Sequence, residues 1–320
     1  MKRRNFLQTA ILTSAIPVCG VVETDQIYKV ETPALSTQEQ DAIAAALGKK
    51  GSYNQAQATY NVPLPRNDLK MTVKGEAVPI SFGFGGWVAF KKTLDGKDTM
   101  LMSDTVLLQE EVNPLISAAQ GAGLEISAIH NHFFYEEPRI FYMHLHGMGA
   151  AADLARMFAD AIRSTRLFPA NQPAPSGPSP AASELFDLAA LDALVGHKGA
   201  ANGSTYKYTV GRDDLTIKAM GAELTAAIGL NSWASFAGSR ENAHIAGDIA
   251  MLDYEVNPVI KALRANGLEV VALHNHMLGD DPHMIFLHYY GRGPAPELAR
   301  GFRSALDQLG KGKGKGGMKH

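Results

Sequence analysis

The sequence predicts an α+β fold: two tandem copies of an α/β sandwich module, each an antiparallel-rich sheet covered by helices. Three observations carry this. Residues 104–165 match residues 248–309 at a constant offset of 144. Each copy ends in the order strand, helix, strand, strand, helix, which suits a sheet with helices on one face. The last helix of the first copy places Leu154, Met157, Phe158, Ala161 and Ile162 on one side, the periodicity of a core-facing helix.

Within the repeat, Asp104 aligns with Asp248, Glu111 with Glu255, and Asn113-Pro114 with Asn257-Pro258. His130-Asn131-His132 aligns with His274-Asn275-His276, and His144 with His288. Upstream the match continues at an offset of 146, through Arg66, Asp68 and Trp87 against Arg212, Asp214 and Trp233. Such self-similarity marks repeated structural units. The organisation read from it is a leader (1–25), module 1 (34–167), a linker (168–183), module 2 (184–309) and a Lys/Gly tail (310–320). Proline at 169, 173, 175, 178 and 180 makes the linker extended and semi-rigid.

The leader reads Lys2-Arg3-Arg4-Asn5-Phe6-Leu7, a twin arginine followed by a short apolar stretch from Ala10 to Val18. That stretch is too short to span a bilayer, so the segment is read as a twin-arginine export signal and a periplasmic or cell-envelope location is expected. Cys19 follows Val18 rather than a small residue, which leaves lipidation at Cys19, with membrane attachment through it, and simple cleavage as alternatives.

In module 1, Ser36-Thr37-Gln38-Glu39 is a capping box that opens a helix through Leu47. β-like segments follow around 69–73, 78–84, 87–92 and 99–108, rich in Val, Ile, Phe and Thr. Asn113 is read as the cap of the next helix, Pro114 as part of its first turn, and Gly123 as the left-handed position beyond its end. A strand at 125–133, a turn at 134–138, a strand at 139–146 and a helix from about 150 to 165 complete the module.

Hydrophobic residues at 46%, charged residues at 19% and 320 residues in all fit two globular domains. A formal net charge of −2 without a basic stripe argues against a nucleic-acid partner. Cys19 is the single cysteine, so the modules have neither disulfides nor thiolate ligands. A metal would have to be held by His, Asp or Glu.

Histidines concentrate in the two hairpins. His130 and His132 share a strand face, as do His144 and His146, because side chains two apart point the same way. A turn centred near Glu137 places His130 opposite His144, so that His130, His132 and His144 converge. The second copy repeats this with His274, His276 and His288, with Tyr290 in place of His146. Three neutral imidazoles suit a divalent transition metal, zinc foremost. Glu136 and Asp280 are candidate further ligands, and Glu137 and Asp281 candidate general bases towards a metal-bound water. The glycine-flanked turns Gly147-Met148-Gly149 and Gly291-Arg292-Gly293 are weaker candidates for an anion site. Trp87 and Trp233 read as core residues, and Arg66/Asp68 and Arg212/Asp214 as local ion pairs.

The strings Ala-Ile-His-Asn-His (128–132), Ala-Leu-His-Asn-His (272–276), Glu-Val-Asn-Pro (111–114 and 255–258) and Met-His-Leu-His-Gly (143–147) resemble the LppY/LpqO family of bacterial exported proteins and lipoproteins. The resemblance covers both modules. It implies export and a duplicated domain of unknown function, and brings no catalytic residues. Three functions stay open: a metal-binding protein acting as a metal-dependent enzyme, a non-catalytic binder of a metal ion or small molecule, and a structural protein whose histidines form a hydrogen-bond network.

Overall fold

The computed structural model describes residues 32–167 and 179–312. The leader with Cys19, most of the linker and the end of the tail lie outside the described residues.

Module 1 runs α1 (Thr37–Leu47), β1 (Ser52–Asn54), β2 (Thr59–Pro65), β3 (Met71–Val73), β4 (Glu76–Val78), β5 (Gly85–Lys92), β6 (Thr99–Leu108), α2 (Gln109–Gly121), β7 (Glu125–His130), β8 (Glu136–Glu137), β9 (Ile140–Gly149) and α3 (Ala151–Ile162). Module 2 repeats the plan with α4 (Ala182–Leu185), α5 (Leu188–Val195), β10 (Ala200–Asn202), β11 (Thr205–Gly211), β12 (Ile217–Ala219), β13 (Ala222–Leu224), β14 (Asn231–Gly238), β15 (Ala243–Met251), α6 (Val256–Ala265), β16 (Glu269–His274), β17 (Ile285–Gly293) and α7 (Ala295–Leu306). Each module forms a six-stranded antiparallel sheet, in the order β1-β2-β5-β6-β9-β7 and β10-β11-β14-β15-β17-β16. The α+β reading holds, and no helix among the described residues is long and apolar enough to cross a membrane.

One face of each sheet is covered by its own helices. Leu101, Leu107, Met143 and Leu145 pack there with Ile43, Leu115, Leu154 and Phe158. In module 2, Ile245, Leu287 and Tyr289 meet Leu191, Val259, Leu263 and Phe302. The alternate residues of β6 point the other way, as strand geometry requires. Met100 and Met102 join a core with Ala250, Leu252 and Phe286 of module 2. Val106 and Tyr142 join one with Ala246 and Tyr290. The second face of each sheet is therefore buried against the other module, and the histidine hairpins stand at that seam.

The capping box of α1 is present: Ser36 Oγ accepts from Glu39 N–H at 3.2 Å, and Glu39 Oε2 accepts from Ser36 N–H at 2.8 Å. The role expected of Asn113 is corrected. Helix α2 begins at Gln109, and Asn113 lies a turn inside it. Glu111 does the capping instead, accepting from Leu108 N–H at 2.7 Å. Glu255 does the same for Leu252 N–H at 2.8 Å, ahead of Asn257. These carboxylates outcompete an amide for the free N–H groups because an arginine anchors each. Arg66 is fully buried and meets Asp68 at 2.9 Å, Glu111 at 2.7 Å and the Val106 carbonyl at 2.8 Å. Arg212 repeats this with Asp214, Glu255 and the Ala250 carbonyl. The ion pairs expected at both positions thus extend into struts joining the central sheet to α2 or α6. Gly123 (φ 87°) and Gly267 (φ 74°) occupy the left-handed position expected of them.

The hairpin register differs from expectation. His130 lies opposite Tyr142, and Ala128 lies opposite His144. Strand β7 stops at His130 because the connection to β9 carries β8, which pairs with β3. A bulge between Ile126 and Ala128 shifts the ladder and turns Ile126 to the helix side.

Candidate functional site

A single row of side chains crosses each sheet on the seam side. Trp87 pairs with Asp104, Asp104 with His144, and His144 with Ala128. In module 2, Trp233 pairs with Asp248, Asp248 with His288, and His288 with Ala272. His130 and His132 arrive from the end of β7, and His274 and His276 from the end of β16. The two rows face each other, and the histidines interleave. His130 stacks on His274 with ring centroids 3.9 Å apart, His132 on His288 at 3.7 Å, and His144 lies 4.3 Å from His276. Both copies therefore contribute to one shared cluster across a pseudo-twofold axis.

Two hydrogen bonds orient this cluster. His144 Nδ1 lies 2.9 Å from the Ser103 carbonyl, and His288 Nδ1 lies 3.0 Å from the Gly247 carbonyl. A carbonyl only accepts, so Nδ1 carries the proton in both rings and Nε2 presents a bare lone pair to the seam. His144 Nε2 meets His130 Nε2 at 3.0 Å. Among the described residues, other polar atoms here are buried without a hydrogen-bond partner: His288 Nε2, both ring nitrogens of His132, Nδ1 of His276, and Oδ1 of Asp104 and Asp248. Folded proteins rarely leave such groups unsatisfied. Three sets bring one ligand atom per residue within 4.8 Å of one another: His130/His132/His288, His130/His144/His274 and Asp248/His274/His276.

Burial, and then the neighbouring imidazoles, hold His130, His132, His144 and His274 well below the ordinary histidine range, so these rings are neutral at pH 7. The two carboxylates differ. Burial and then the nearby Asp248 push Asp104 well above the usual carboxylate range. Burial also acts to raise Asp248, but His288 and His276 outweigh it and bring the group below that range. His276 Nε2 stands 3.2 Å from Asp248, whereas Asp104 reaches only His132, at 4.0 Å.

The six hairpin histidines expected as ligands are thus brought together. The acidic candidates stand apart from them. Glu136 accepts from Ile140 N–H at 3.2 Å and pairs with Arg139, and Asp280 accepts from Met284 N–H at 2.6 Å and from His283 at 3.0 Å. Both close their own hairpin turn, and neither joins a ligand set among the described residues. Glu137 and Asp281 are exposed, with their backbones paired to Thr72 and Lys218. His146 Nε2 donates to the His276 carbonyl at 2.6 Å, and burial lowers its pKa to about 4. Arg292, the cation expected at an anion site, pairs with Glu76 across the seam.

The cluster opens on a cleft of about 1040 Å³ between the modules. Asp104, Asp248, His132, His276 and His288 line its floor, and Trp87 and Trp233 its sides. The tryptophans, read as core residues, are half-buried cleft walls. Lys207 Nζ lies 4.5 Å from the ring of Trp233. Asp104, Asp248 and Lys207 are the residues that sequence reasoning missed. The signal for the aspartates was present: one acid recurs inside each of two long strands that hold no other acid.

A family profile for a domain of unknown function (DUF1259) matches residues 41–164 and again residues 189–308. No curated protein and no solved structure matches the chain.

Proposed function

The chain belongs to the DUF1259 family, with two copies of the domain in tandem, and since the family brings no activity with it, we propose from the site that the protein binds a divalent transition metal at the seam between the copies. The observation that carries this is the matched pair of Nδ1-to-carbonyl bonds at His144 and His288. Metal-binding histidines are oriented in this way, with the far nitrogen tied to a carbonyl and the near one free. Neutral imidazoles with one or two carboxylates and no thiolate fit zinc best, with copper, iron and nickel next. The partnerless buried nitrogens fit the same group.

When bound, such a metal supplies a Lewis acid and an acidified water. The chain's own residues supply the rest. Asp248 orients His276, and Asp104, drawn towards its protonated form, can hold or release a proton at the cleft floor. The cleft admits a small molecule beside the site, which favours a metal-dependent enzyme over a metal store. We also propose that the chain is an LppY/LpqO-type protein, exported through the twin-arginine segment at residues 2–9 to the periplasm or the cell envelope. Fractionation of cells expressing the full chain, with Arg3 and Arg4 replaced by lysine in a control, tests that location.

A second reading has its own support. The direct contacts His130–His144 at 3.0 Å and His276–Asp248 at 3.2 Å are what a metal-free hydrogen-bond network would use. Elemental analysis of protein without a polyhistidine tag separates the two. The metal reading expects about one or two ions per chain, lost in His130→Ala and in His274→Ala. Absence of metal, with no stabilisation by added zinc, copper, iron or nickel, leaves the network.

A further inference from the structure

The two halves of the cleft carry different chemistry. Strand β2 pairs with β5 as β11 pairs with β14, so Asn61 and Lys207 hold equivalent places, opposite Ala89 and Ser235. Both line the cleft, but only Lys207 brings a charge. The next cleft positions diverge in the same sense: Pro63 against Thr209, and Gly85 against Asn231. Module 1 lines the cleft with Met71 and Ile80 but also with Lys49 and Lys70, and module 2 places its ammonium, Lys207, on the strand beside Trp233.

Among the described residues Lys207 makes no close ion pair, and its ammonium lies 4.5 Å from the ring of Trp233. Asp104 and Asp248 act to keep the amine charged, but burial outweighs them and its pKa is lowered. Once those carboxylates are engaged at a metal, the ammonium and the metal form an electropositive end of a cleft whose sides are two indole rings. A ligand that satisfies all of these has an anionic head and a flat, apolar body.

We propose that the cleft binds a small organic anion, a carboxylate or phosphate monoester on an aromatic or similarly flat body, with Lys207 pairing its acid group and Trp87 and Trp233 flanking the body. The inference rests on the metal reading above and names the ligand class of that site.

Trp87 and Trp233 are the chain's two tryptophans, so tryptophan emission reports on this cleft directly. Zinc-loaded full-length protein is titrated with benzoate, phenyl phosphate and benzyl alcohol, with zinc content measured on the same samples. At least one anion is expected to bind and change the emission, with the neutral alcohol about tenfold weaker or more; which anion binds tighter identifies the acid group. Lys207→Asn, which installs the module 1 residue, weakens the anion about ten- to a hundredfold and leaves zinc content and alcohol binding unchanged, as loss of a charged hydrogen bond requires. Lys207→Arg retains most of the affinity. Alcohol binding as tight as the anions, or an unaltered anion affinity in Lys207→Asn, overturns the proposal. Zinc uptake without anion binding overturns it alone, whereas no zinc uptake removes the metal reading with it.

Discussion

The two halves of the site share a skeleton and differ at its edge. In both, an aspartate and a histidine pair across the central strands, a backbone carbonyl fixes the histidine tautomer, and two further histidines come from the end of the neighbouring strand. The departures lie around this. Asp248 is engaged by His276 while Asp104 is nearly free, Lys207 stands where module 1 has Asn61, and His146 stands where module 2 has Tyr290. Duplication left the ligands alone and altered what approaches them. A site whose two copies were each complete could lose one of them. Here two of the three ligand sets combine residues of both modules, the third (Asp248/His274/His276) lies within module 2, and His130 and His274 touch ring to ring.

The shared skeleton gives the largest expected effect. Arg66→Met and Arg212→Met each leave a buried glutamate without its partner, which costs about 3–5 kcal/mol. Urea denaturation of the two variants should give similar losses, because Arg66 and Arg212 make equivalent bonds. A large loss from one and almost none from the other would break the equivalence of the halves at its base.

The engaged and the free carboxylate come next. Asp248→Asn should weaken metal binding about ten- to a hundredfold, the usual cost of losing a group that orients or joins the ligands. Asp104→Asn should cost less in affinity and more in any activity that needs a proton at the cleft floor. Competition with a chromogenic chelator measures the first quantity. Equal losses in affinity would mean that metal binding restores the symmetry seen in the sequence.

Acid sharpens the same contrast. The buried histidines bind protons below their ordinary value of 6.5 only in the unfolded chain. The unfolded state therefore binds more protons as pH falls through that value, so stability is flat above it and declines below it. Urea midpoints of metal-free protein at pH 7.5, 6.0 and 5.0 should fall in that order. Asp248 favours the charged form of His288, so Asp248→Asn should steepen the decline over this range.

Much of this was legible in the sequence. The repeat, the capping box at Ser36, the left-handed glycines and the six hairpin histidines follow from spacing and local chemistry. The register did not, because a bulge at Ser127 and the short strand β8 are set by contacts with β9 and β3. Glu136 and Asp280 looked like ligands because they follow the histidines in sequence, but a carboxylate beside a turn finds backbone N–H groups first. Asp104 and Asp248 were hidden for the opposite reason. They lie twenty-eight residues before the histidines they approach (104 to 132, 248 to 276), and only the sheet order puts β6 beside β9 and β15 beside β17. The sharing of one site by two copies could not be read from either copy alone.

The smallest effect tests the outermost difference. His146 donates to the His276 carbonyl from the other module, and Ser127 Oγ donates to the same oxygen at 2.5 Å. His146→Phe removes one of two bonds to that carbonyl, so the oxygen keeps a partner and the cost should be about 1 kcal/mol. Metal affinity should change by less than about threefold, because the ring nitrogens of His276 are not the atoms released and RT ln 3 is about 0.6 kcal/mol. The measurement is a urea midpoint beside a chelator competition on the same preparation. A loss of metal binding comparable to that of Asp248→Asn would show that His146 positions His276 from across the seam, and the division into a shared skeleton and a diverged edge would have to be redrawn to place His146 inside the skeleton.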